Sequence, residues 1–130
     1  AARTGDPEKL RIALERNETP PVLVRGGKGD LIALLKSKSA DAEGREVLAR
    51  LVSLLEGPFV RINPGQRQEM FVWPAAAEMM WDTLRPEEWV ELYRVIPATV
   101  AKESLDRRKY IGDRLGLGPD GTWHYFLTGE

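Results

Sequence analysis

The chain has no cysteine and only one histidine, His124. The first absence removes thiol nucleophiles, cysteine-ligated zinc and a disulfide framework. It leaves the compartment open, because 130 residues can bury a core without covalent staples. A zinc site built from several His or Cys ligands is disfavoured on the same count, and no cofactor is implied. Long apolar runs are lacking as well. None approaches the roughly 18 residues that cross a bilayer, so no membrane insertion is expected. Charge of one sign is also missing: the formal net charge of −1 gives no broad electrostatic case for nucleic acid or anionic lipid. The one dense basic run, Arg107-Arg108-Lys109, has Asp106 beside it and reads as a solvated helix end.

Catalytic signatures are equally sparse. Ser37, Ser39, Ser53 and Ser104 fall in helices or caps, and none sits in a Gly-x-Ser-x-Gly elbow. Arg25-Gly26-Gly27-Lys28-Gly29-Asp30 joins an extended segment to a helix, a place where phosphates are often cradled. No Gly-Lys-Ser/Thr closes it, however, and Asp30 would repel an anion from the helix start, so it reads as a connector with an Asp cap. Neither Asp113 nor Asp120 stands in calcium-loop spacing. Glu87, Glu88 and Glu91 cluster at a helix start, where carboxylates complement the dipole.

What is present is patterned. Hydrophobic residues make up 42% and charged residues 30%, globular proportions that set the chain apart from disordered sequences. Asp6 and Pro7 open a first helix that closes at Asn17. Thr19-Pro20-Pro21 forces an extended passage into Val22-Leu23-Val24. Leu31–Leu35 is a short helix. A longer one, capped by Ser39 or Asp41, runs to about Glu56 with Val47, Leu48, Leu51, Val52, Leu54 and Leu55 on a wide apolar face. Phe59 to Ile62 and Glu69 to Trp73 read as a hairpin turned at Asn63-Pro64-Gly65-Gln66. Ala75 to Trp81 gives one or two helical turns, and Pro86 starts a helix with Trp89, Leu92, Tyr93 and Ile96 at amphipathic spacing. A further, mostly exposed helix precedes Tyr110. The chain closes in a second hairpin turned at Gly118-Pro119-Asp120-Gly121. Helices, hairpin, helices, hairpin is an α+β order: helices packed on a small antiparallel sheet made from two hairpins, in one globular domain over residues 1–130.

The closing hairpin gathers Trp123, His124, Tyr125 and Phe126. Strict alternation puts Trp123, Tyr125 and Leu127 on one face and Thr122, His124, Phe126 and Thr128 on the other. Such a surface, with His124, Phe126 and a nearby Trp73, suits a peptide, a cell-wall fragment or a protein partner. Trp73-Pro74 and Trp81, with Met79 and Met80, are a second candidate, a shallow pocket for an apolar group. The binding candidates are therefore Trp73, Trp81, His124 and Phe126. Three functions remain open: a non-enzymatic binding module, a structural domain of a larger assembly or homo-oligomer, and a hydrolase with His124 as general base and Glu78 or a nearby acid as its orienter.

Phe71-Val72-Trp73-Pro74, Leu84-Arg85-Pro86-Glu87-Glu88, Glu91-Leu92-Tyr93-Arg94 and the stretch from Gly116 through Gly-Pro-Asp-Gly-Thr-Trp-His to Glu130 form a further pattern. With Asp6 to Leu10 and Ser39 to Glu46, it resembles an uncharacterised family of alphaproteobacterial proteins, often exported. The chain departs from that pattern at Ala75, where an aromatic residue usually follows Trp-Pro, and at Thr128-Gly129-Glu130, where Ala-Gly-Asp is common. The resemblance implies a bacterial protein of the periplasm or exterior, with the cytoplasm still open, and implies no reaction. The chain begins at Ala1 rather than Met, which implies a removed leader or merely a trimmed end.

Overall fold

Helix starts follow the capping chemistry closely. Asp6 accepts a hydrogen bond from the Glu8 N–H at 3.0 Å, and Pro7 opens a 3-10 turn that runs into α1, Arg11–Glu15. Asp30 caps α2, Leu31–Ser37, through the Ala33 N–H at 3.1 Å, and its carboxylate also takes the Arg11 guanidinium at 2.7 Å. The glycine-rich connector therefore presents a protein carboxylate, not an anion site, at the α2 start. A computed structural model describes residues 1–129 of the chain, with five α-helices and one four-stranded antiparallel sheet.

The longest helix, α3, spans Arg45–Glu56. It begins later than its caps suggest because Gly44 adopts a left-handed φ of 79° and breaks the helix ahead of Arg45. Ser39 and Asp41 both act as caps from a distance: Ser39 Oγ accepts from the Val47 N–H at 3.0 Å, and Asp41 accepts from the Arg45 and Glu46 N–H groups at 3.1 and 2.9 Å. Val47, Leu48, Leu51 and Leu54 are buried, each contributing roughly 1.5–3 kcal/mol by removal from water. Leu55 is half exposed and Val52 partly so, which makes the apolar face narrower than the sequence suggests. Pro86 and Glu88 start α4, Pro86–Val95, with the Glu88 carboxylate accepting the Arg85 N–H at 2.9 Å. α5 covers Ala98–Arg107, and its last turn carries the Arg107–Glu103 ion pair.

The sheet follows chain order: β1 (Val60–Ile62), β2 (Met70–Trp73), β3 (Asp113–Leu117) and β4 (Trp123–Thr128). The two hairpins join through β2 and β3, where Trp73 pairs with Leu115, and the helical excursion of residues 74–112 lies between them in sequence. One sheet face meets a mostly aliphatic core of Leu14, Leu35, Leu48, Leu51, Leu115 and Phe126. A second cluster, richer in aromatic side chains, gathers Trp81, Leu92, Ile96 and Tyr110.

The extended segment after Pro20-Pro21 is shorter than its Val-Leu-Val sequence suggests. Only Val22 bridges the sheet, parallel to β4: its N–H donates to the His124 carbonyl at 3.0 Å, and its carbonyl accepts the Phe126 N–H at 3.0 Å. The preceding prolines have no N–H to extend that ladder, and the chain turns away at Gly26, where φ is 70°. The strap still covers the outer edge of β4 at its centre.

Candidate binding groove at the closing hairpin

The closing turn is built as its residues dictate. Gly121 N–H donates to the Gly118 carbonyl at 3.0 Å, Gly121 takes a φ of 86°, and the Asp120 carboxylate accepts the Thr122 N–H at 3.0 Å. Beyond the turn, the register shifts. Leu117 opposes Trp123 while Gly116 opposes Tyr125, so one step on β3 matches two on β4. His124 is the additional residue of a β-bulge.

That bulge changes which side chains share a face. Trp123 and Phe126 both enter the aliphatic core, Phe126 at 0% exposure, although strict alternation would separate them. His124 is turned out to solvent. Tyr125 lies on the opposite face against Met70, in space that a Cβ at Gly116 would occupy, since the Tyr125 ring comes within 2.5 Å of that position. The expected surface of His124 with Phe126 is thus replaced by His124 alone on the outside and Phe126 in the core. The Phe126 ring instead receives the Lys38 ammonium at 5.1 Å.

His124 stands on an open groove of about 810 Å³, between the hairpin tip and the Arg16–Val22 segment. Arg16 reaches the Gly121 carbonyl at 3.3 Å, and Asn17 donates to the Trp123 carbonyl at 3.4 Å, which ties the two walls together. Glu18, Thr19, Pro20 and Val22 complete one wall; Asp120, Thr122, Trp123 and His124 form the other. Asp120 Oδ1 and His124 Nε2 both approach the position of a Cβ on Gly118, at 3.0 and 3.1 Å, so any larger residue there would press on both. The Asp120 carboxyl is held below its ordinary range, first by the Thr122 N–H and further by the neighbouring imidazole.

Glu78, the carboxylate expected to orient His124, does not line the groove. It lies near Tyr125, whose phenol is pushed up by burial and then by the Glu78 charge. Asp120 lines the groove with His124, and its Oδ1 accepts the Thr122 N–H. The sequence signal for it was the turn itself, which returns residue 120 beside residue 124.

The two tryptophans are elsewhere and apart. Trp73 packs on Phe59 with ring centroids 5.0 Å apart, and its indole N–H is buried without a hydrogen-bond partner. Trp81 is buried in the second cluster, stacked on Tyr110 at 6.0 Å and edge-on to Trp89 at 5.6 Å. A pocket of about 310 Å³ does adjoin the Trp73-Pro74 segment, lined by Pro58, Pro74, Ala76, Met79 and Leu92 and rimmed by Glu87, Glu88 and Glu91. Neither tryptophan lines it, and Met80 is exposed.

No group of three or more His, Asp or Glu side chains among the described residues is arranged to hold a metal ion. No helix among them is long and apolar enough to cross a membrane. Compared with known proteins, the chain matches no family model, no curated protein and no solved structure.

Proposed function

We propose that the protein is a non-enzymatic binding module that takes a short peptide, or the peptide part of a cell-wall fragment, in the groove beside His124. The observation that carries this reading is the bulge at residue 124, which turns the only imidazole onto an 810 Å³ groove while Trp123 and Phe126 stay in the core. The groove's chemistry selects the ligand class. Arg16 and His124 alternate with Glu18 and Asp120, and Thr19 and Thr122 add hydroxyls. A polyanion would meet two carboxylates there, whereas a peptide offers donors, acceptors and charges of both signs.

The test is to follow the single imidazole resonance by NMR while short peptides and muropeptides are added. A saturable shift, lost in Asp120→Asn or weakened by Arg16→Gln, is the expected result. A resonance unmoved at millimolar ligand would contradict the reading. A bacterial, periplasmic setting is supported by the family resemblance alone, and fractionation of the native host tests it: recovery with cytoplasmic markers would overturn it.

One observation favours a second reading. Asp120 lines the groove with His124, so a hydrolase with His124 as general base would take Asp120 rather than Glu78 as orienter, its carboxylate turning from the Thr122 N–H to the imidazole. No serine lines the groove, so the nucleophile would be water. Turnover of ester or peptide substrates, abolished in His124→Ala, would support it; binding without turnover would remove it.

A further inference from the structure

A second pocket, independent of the His124 groove, opens where the Val22 strap leaves β4. Its volume is about 420 Å³, and its lining includes Val24, Arg25, Lys38, Arg50, Leu127 and Thr128 with no acidic residue. Three cations around one small pocket are unexpected in a chain whose net charge is −1. Burial disfavours the Lys38 ammonium most; the Asp113 charge opposes that, and the charges of Arg50 and Arg25 add to it.

The partners available to these cations are unequal. Asp113 faces Arg50, taking Nη1 at 2.9 and 3.1 Å, and accepts the Thr128 hydroxyl at 2.6 Å. A second Arg50 nitrogen, Nη2, donates to the Lys38 carbonyl, and its Nε meets the Glu46 carboxylate at 2.6 Å. Lys38 Nζ is left with the Thr128 hydroxyl oxygen at 3.3 Å and the face of Phe126. Among the described residues no carboxylate lies within ion-pairing distance of Lys38 or Arg25. Among the described residues these two cationic donors make no direct ion pair, with Asp113 acting on Lys38 only at longer range, and Val24 and Leu127 supply an apolar wall beside them.

We infer that this pocket binds an organic carboxylate carrying a small aliphatic body, with Lys38 and Arg25 on the carboxylate and Val24 and Leu127 against the aliphatic part. The carboxylate supplies Lys38 with a direct ion pair, which Asp113 reaches only at longer range. The donor count favours it over phosphate, because Arg50 has few free N–H groups and the Thr128 hydroxyl is already donated to Asp113.

The experiment uses the whole chain, isotopically labelled, and reads the backbone amides of Val24, Leu127 and Thr128. N-acetyl-leucine, N-acetyl-leucinamide and inorganic phosphate are added separately. The expected result is a saturable shift with N-acetyl-leucine and none with its amide. Lys38→Met, which keeps the aliphatic stem, should raise the Kd about tenfold. Arg25→Gln, at an exposed position safe for folding, should raise it about threefold. An equal response to the amide, unchanged affinity in both variants, tighter binding of phosphate, or no response to any probe at tens of millimolar would each overturn the inference.

Discussion

The two hairpins of the sheet use the same kind of device, a carboxylate that grips an arginine, and use it differently. In the first, Glu69 pairs with Arg61 at 2.6 Å and accepts the Gly65 N–H at 2.9 Å, all within one hairpin. In the second, Asp113 reaches across to Arg50 on α3 and to Thr128 on β4. Glu69 closes its hairpin on itself, whereas Asp113 fastens its hairpin to a helix and to its own partner strand. The first hairpin is consequently short and exposed at its tip. The second is buried along one face, bridged along its edge by Val22, and able to carry a bulge. Anchoring is what permits the irregularity, because the core contacts fix the register on both sides of the additional residue.

That contrast can be broken most sharply in the core. Phe126→Ala should destabilise the protein by about 3–5 kcal/mol, since Phe126 is fully enclosed. Phe59→Ala, beside the first hairpin and 52% exposed, should cost about 1 kcal/mol. Urea unfolding of both variants checks the pair, and equal losses would erase the distinction between the hairpins.

The anchors come next. Asp113→Ala removes one of the two carboxylates that hold the partly buried Arg50 guanidinium, which keeps Glu46 at 2.6 Å, and removes the Thr128 acceptor, an expected loss of about 2 kcal/mol. Glu69→Ala should leave the global unfolding midpoint nearly unmoved and loosen only the tip, visible as faster amide exchange at Gly65. A large midpoint shift from Glu69→Ala would mean that the first hairpin is also tied to the fold.

Acid gives the mildest version of the same test. The Glu69 carboxyl is held below its ordinary value of 4.5, first by the Arg61 side chain and then by the Gly65 N–H. A depressed folded value means that its contribution is complete above pH 4.5 and fades as pH falls through that lower value. Gly65 amide protection should therefore drop on acidification below pH 4.5, and the Glu69→Gln variant should show no such step. Protection that rose on acidification would reverse the assigned sign.

Much of the frame was legible in the sequence because it rests on local chemistry. Asp6-Pro7, Asp30, Pro86 with Glu88, and Gly118 to Gly121 each announce a cap or turn through their own side chains, and each forms it. The α+β order and the antiparallel hairpins follow from them. The bulge was harder to see, since one inserted residue leaves period-2 alternation intact on either side. A signal existed: Trp123 and Phe126 are three apart, and two bulky aromatics at that spacing cannot both face one core in a regular strand. The Lys38–Thr128 contact joins residues 90 positions apart, and the Arg50–Asp113 pair 63, so no local pattern could bring that pocket together. The two tryptophans misled for a related reason. Trp73 and Trp81 are near in sequence, but one edges the aliphatic core and the other stacks on Tyr110.

His124 is the inserted residue of β4, and its side chain lines the groove. Deleting His124 tests it directly. The shortened chain should fold with Trp123 still opposite Leu117 and Tyr125 opposite Gly116, now without the bulge. The core tryptophan signal should persist, and the stability loss should be about 1 kcal/mol for the weakened Val22 bridge. If β4 instead alternated regularly through His124, the deletion would turn Trp123 out of the core. Collapse of the near-ultraviolet circular dichroism, or a register slip in the amide spectrum, would then contradict the account.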